Sequence, residues 1–155
     1  MRRRLRGIAE INNYINDYVS EWGLSSQLDT DFAYDPVEDI VYWSVVVSEK
    51  NSEEFKEFFE SLGCVVKADV FIYSLFHEIG HSQTLESVSE EDYNYSWDRK
   101  ADPEITNYEY FRLPNEIVAT QWAVDYINSN AEEIEEFWNG LQPLLMKFYN
   151  KNHIL

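Results

Sequence analysis

Residues 70–81 read Val-Phe-Ile-Tyr-Ser-Leu-Phe-His-Glu-Ile-Gly-His, and this stretch limits the fold more than any other. A helix that is apolar all round is a buried helix, so residues 68–83 are expected to form a central helix covered on every side. Inside it an unpaired ionisable group is costly, yet His77, Glu78 and His81 stand there together. Two histidines four residues apart lie on one helical face about one turn apart, so both imidazoles can reach one ion. Glu78 projects to the edge of that face, where it can hold a metal-bound water and take its proton. Zinc lowers the pKa of such a water to about 7. The alternative is that the three side chains satisfy one another, or buried backbone groups, without a metal. The chain holds three histidines, and a chance His-Glu-x-x-His is expected on the order of once in several hundred such sequences.

The rest of the chain supplies elements to cover that helix. Ile8, Ile11, Ile15, Tyr18 and Trp22 recur at helical spacing, with Gly23 placed as a C-terminal cap. Residues 31–35 and 39–47 are expected as strands with a turn at Asp35-Pro36. Residues 40–47 are nearly apolar on both faces, which suits the inside of a sheet or a site beneath a helix. Asn51 and Glu54 have the spacing of a capping box, opening a helix that ends at Gly63. Residues 84–101 are acidic and polar and are expected to be a long loop. Asp102-Pro103 has the form of an N-cap followed by a first-turn proline. Leu113-Pro114 starts another helix, to about Asn128, and a final amphipathic stretch carries Ile134, Phe137, Leu141, Leu145 and Phe148, with bends expected at Gly140 and Pro143. With 155 residues, residues 1–155 are read as a single α+β domain, mostly helical with a small sheet.

Composition narrows the function classes. One cysteine, Cys64, excludes an intrachain disulfide framework and a cysteine-rich metal site. The basic start Met-Arg-Arg-Arg lacks the apolar stretch of a signal peptide, and no window is apolar for long enough to span a bilayer. The expectation is a cytoplasmic protein. A formal charge of −17 repels nucleic acid and anionic membrane and favours basic partners or substrates.

Phe76-His77-Glu78-Ile79-Gly80-His81-Ser82 resembles the motif of the zincin metallopeptidases, whose motif is likewise flanked by uncharged residues. Gln83 departs from that pattern, standing where the family usually has an apolar residue. The resemblance implies a zincin-like core, one zinc ion per chain, and hydrolysis of a peptide bond with Glu78 activating a zinc-bound water. Zincins divide by their third ligand. Ser82-Gln83-Thr84-Leu85-Glu86-Ser87 lacks the glycine and histidine of the metzincin branch, and His153 is read as a tail residue. The gluzincin branch uses a glutamate from a later helix, and Glu86, Glu90, Glu91, Glu104, Glu109 and Glu116 are the candidates.

Glu116 is preferred because it shares a helical face with Thr120, Ala123 and Ile127, a small and apolar stripe that must pack inward. A glutamate on a buried face needs a partner, and a cation is the natural one. Its other reading is a first-turn glutamate that favours the helix dipole beside Pro114. Asn115-Glu116-Ile117-Val118-Ala119 is also similar to the gluzincin third-ligand segment and to the corresponding helix of the compact ImmA/IrrE-like peptidases. The expected metal ligands are therefore His77, His81 and Glu116, with Glu78 catalytic. Tyr95, Tyr108, Tyr110 and Arg112 are candidates for stabilising an oxyanion, and residues 41–47 for the strand that receives an extended peptide. Two other functions fit the same residues: a non-catalytic acidic protein with a structural zinc that binds a basic, DNA-binding partner, and a metal-dependent hydrolase acting on a non-peptide bond.

Overall fold

The structure, a computed structural model, describes residues 7–45 and 49–152. Helix α1 (Ile8–Val19) ends in a single 3₁₀ turn (Ser20–Trp22). Gly23 terminates it in the left-handed region at φ 73°, donating its N–H to the Ser20 carbonyl, a conformation that glycine adopts without a Cβ clash. Three short strands follow: β1 (Ser25–Leu28), β2 (Ala33–Asp35) and β3 (Ile40–Trp43). They form one sheet in the order β1-β3-β2. β1 runs parallel to β3 with Ser26 opposite Val41, and β2 runs antiparallel with Tyr34 opposite Val41. The apolar run is thus the middle strand, as its two-faced apolarity requires. It ends at Trp43, and Val46 and Val47 of the expected strand lie outside the described residues.

Helices make up the rest: α2 (Glu49–Ser61), α3 (Val70–Thr84), α4 (Glu90–Lys100), α5 (Asn107–Phe111), α6 (Pro114–Ser129) and α7 (Ala131–Asn152). The fold is α+β, predominantly helical with a small mixed sheet. α3 is its axis. The ten residues from Phe71 to Gly80 are all buried, and the Asp69 carboxylate caps the first turn by accepting from the Phe71 N–H at 2.9 Å, a contact of the kind that stabilises a helix by about 1 kcal/mol. Phe32, just before β2, and Trp43 of β3 meet α3, their rings 5.1 and 6.4 Å from that of Phe71. α1 and α7 close the far side, with Tyr18 stacked on Phe137 at 3.9 Å. Among the described residues no helix is long and apolar enough to cross a membrane.

Several sequence expectations need correction. Residues 84–101 are not a long loop: after a 3₁₀ turn (Leu85–Ser87) they form α4, whose N-cap Ser89 accepts from the Asp92 N–H at 3.1 Å. Its acidic first turn and its basic last turn, Arg99 and Lys100, both suit the helix dipole. Asp102 caps no helix; it accepts from the Glu104 N–H in a turn, and Thr106 is the N-cap of α5. α2 begins before Asn51, so the proposed capping box falls inside the helix, which stops at Ser61 ahead of Gly63 at φ 97°. β1 was not anticipated, because its buried position is Ser26, which presents no apolar alternation. Its amide and hydroxyl donate instead to the side-chain oxygens of Asn16 and Asn12, both at 3.0 Å.

Candidate metal centre

α3 and α6 approach closely at Gly80. A Cβ there would overlap the Ala119 carbonyl oxygen, so the glycine lets the two helices touch along their backbones. That contact brings the first turn of α6 against the His-Glu-x-x-His face. The Nε2 atoms of His77 and His81 lie 3.1 Å apart. The Oε2 atom of Glu116 is 2.7 Å from the first and 2.8 Å from the second. Glu78 completes the group, with Oε1 4.0 Å from His81 Nε2. His77, Glu78 and His81 alone bring ligand atoms within 4.8 Å of one another, a grouping that could hold a metal ion. All are largely withdrawn from solvent, Glu116 most of all at 3% exposure.

Hydrogen bonding around His77 limits what can sit at that convergence. The Thr120 hydroxyl lies 2.8 Å from both the Glu116 carbonyl and His77 Nδ1. With a metal ion on Nε2, Nδ1 carries the ring hydrogen and Thr120 Oγ accepts it while donating to that carbonyl. In the metal-free site Thr120 can instead donate to a bare Nδ1, with Nε2–H donating to Glu116. In either case the 2.7 Å approach of Nε2 to the carboxylate has a hydrogen or a metal ion between them. The electrostatics agree. Burial alone would lower the His77 pKa, but the Glu78 and Glu116 carboxylates raise it. Burial alone would raise that of Glu116, but His81 and His77 hold it well below the ordinary carboxylate range. Glu78 is pushed up, by burial first and then by Glu116 against the opposing histidines.

The donor set fits a transition-metal ion. Two imidazoles and one carboxylate are the protein ligands of a catalytic zinc site, which keeps a further position open. Thr120 Oγ, 2.8 Å from His77 Nδ1, stands where the acceptor behind a ligating histidine is needed.

A solvent-open cavity of about 770 Å³ lies against the site, bordered by all four of these residues and by Lys100 and Tyr110. Its remaining wall is rich in aromatic side chains, among them Phe32, Tyr34, Phe55 and Trp97. Phe55 of α2 also sets the His77 ring, edge to face at 5.4 Å.

Other sequence candidates fall elsewhere. Glu86, Glu90, Glu91, Glu104 and Glu109 are exposed, do not border the cavity, and Glu109 pairs with Arg99 at 2.7 Å. His153 lies outside the described residues. Of the oxyanion candidates only Tyr110 borders the cavity, where burial and then the nearby Glu116 and Glu78 carboxylates push its phenol pKa up. Arg112 stacks on Tyr108 at 3.5 Å beside a separate groove, and Tyr95 is 53% exposed. β3 cannot receive a peptide, since both of its edges are occupied by β1 and β2. Sequence reasoning missed Lys100, whose Nζ is 2.7 Å from Glu116 Oε1, because nothing linked residue 100 to residue 116 before α4 was known to be a helix.

No protein-family model matches the chain, and neither a curated protein nor a solved structure matches it. The functional reading therefore rests on the geometry of this site.

Proposed function

We propose that the protein is a zinc-dependent peptidase, similar to the gluzincin and ImmA/IrrE-like enzymes, that cleaves peptides bound in the cavity beside His77, Glu78, His81 and Glu116. One observation carries this reading. Three ligand atoms from two helices meet within about one ion's breadth, and a fourth, non-ligating carboxylate stands beside them at a solvent-open cavity. A purely structural site would have no use for that opening.

His77, His81 and Glu116 would hold the ion, one per chain. When bound, zinc polarises the scissile carbonyl and acidifies water at neutral pH. Glu78 takes a proton from the attacking water and passes it to the leaving amine. With the ion on Nε2, the Thr120 hydroxyl oxygen would accept from His77 Nδ1–H and orient the ring. Ala33 and Tyr34 of β2 border the cavity, so an extended substrate can lie along that edge. Aromatic walls favour apolar side chains near the cleaved bond, while the charge of −17 favours basic chains overall.

The test is incubation of zinc-loaded protein with a mixed peptide library read by mass spectrometry, beside Glu78→Gln. The expected result is cleavage by the natural sequence and a loss of at least 100-fold in the variant, with zinc retained by both. Retained hydrolysis in Glu78→Gln contradicts the mechanism. Absence of cleavage, with salt-sensitive capture of a basic protein by both forms, replaces it with the structural-zinc reading.

A further inference from the structure

We propose that Lys100 is a positioning residue that holds Glu116 to a single metal-facing oxygen, an inference that rests on the metal reading above. The Lys100 ammonium lies 2.7 Å from Glu116 Oε1, while Oε2 faces the two histidines at 2.7 and 2.8 Å. The two carboxylate oxygens are thus divided between a fixed cation and the metal position. Lys100 is the last residue of α4, and its side chain is only 19% exposed. It runs between two aromatic rings, with Nζ 5.7 Å from the centroid of Trp97 and 5.3 Å from that of Tyr110. Arg99, its neighbour, ties the same helix end to Asp102 and Glu109 at 3.2 and 2.7 Å. The ammonium is therefore held by packing and by a braced backbone rather than at the end of a free side chain.

The consequence is chemical. A carboxylate with both oxygens free can chelate a divalent ion through the pair and fill the position that a catalytic site keeps open. An ammonium on Oε1 removes that option and leaves Glu116 with one donor. Lys100 acts through Glu116, so its effect is read at the metal rather than in turnover alone.

The experiment is cobalt substitution of the natural protein, Lys100→Met and Lys100→Arg, with visible absorption recorded for each after one equivalent of cobalt. Tetrahedral cobalt absorbs several-fold more strongly than cobalt of higher coordination number. The natural protein and Lys100→Arg are expected to give the intense spectrum, and Lys100→Met one at least twofold weaker with cobalt still bound. If Lys100→Met does not fold, as judged by circular dichroism, Lys100→Gln replaces it with the same expectation at smaller amplitude. Identical spectra from the natural protein and the neutral variants overturn the role of Lys100 and leave the metal site standing. Failure of the natural protein to bind cobalt or zinc at all overturns the site and this inference together.

Discussion

The Oε2 atom of Glu116 lies 2.7 Å from His77 Nε2, though 39 residues separate the two in the chain. That distance results from packing between α3 and α6, and the chemistry of the site depends on whatever holds those helices in place.

Gly80 is the first such element. An added methyl would meet the Ala119 carbonyl, which is backbone and cannot turn aside. Gly80→Ala should destabilise the fold by about 1–3 kcal/mol, the usual cost of overpacking, despite alanine's better helix propensity. The same displacement moves Glu116 away from the histidines, so zinc affinity should fall as well. Thermal unfolding with and without zinc tests both effects. A variant as stable as the natural protein, with undiminished zinc affinity, would show that the helices do not need this contact.

Thr120 is the second. Thr120→Val keeps the shape of a fully buried residue but removes the acceptor for His77 Nδ1–H. The expected outcome is a zinc affinity about 10- to 100-fold lower, the usual scale for losing the partner behind a ligating histidine. Competition with a chromophoric chelator measures it. An unchanged affinity would mean that the bond does not set the tautomer.

The pH dependence follows from His77. Its pKa in the metal-free protein is raised: burial works downward, and Glu78 and Glu116 overcome it. A raised pKa contributes stability that is full below the unfolded value of about 6.5 and is lost as pH climbs through the folded value. A metal needs the neutral imidazole, so zinc must displace that proton. Apparent zinc affinity should therefore keep rising above about pH 6.5, by roughly tenfold per pH unit for one proton, and level off only beyond the raised value. Chelator competition from about pH 6 to about pH 8.5 covers that window. A plateau already at about pH 6.5 would mean that His77 is not held protonated.

Legibility of the site in the sequence followed the range of the interactions. His77, Glu78 and His81 were readable because four-residue spacing acts within one helix. Glu116 was readable because its helical face, shared with Thr120, Ala123 and Ile127, is buried as its apolarity demands. Gly80, Thr120 as a partner of His77, and Lys100 became visible only when α4 and α6 were set against α3. Their meaning lies in contacts between residues 16 to 43 apart in the chain, which no local pattern encodes. α4 itself was obscured by its exposed, acidic composition, since it buries only Ser96 and offers no apolar stripe to read. β1 escaped for a related reason: Ser26 is buried through hydrogen bonds to asparagines, so alternation of apolar side chains never marks it.

The central claim is that His77, His81 and Glu116 hold one divalent ion. Elemental mass spectrometry of tag-free protein after zinc loading and gel filtration tests it most directly, comparing the natural sequence with Glu116→Ala. The account predicts about one zinc per chain in the natural protein and a marked loss in the variant, as expected when one of three protein ligands is removed. No zinc in the natural protein, or full occupancy in Glu116→Ala, would contradict it.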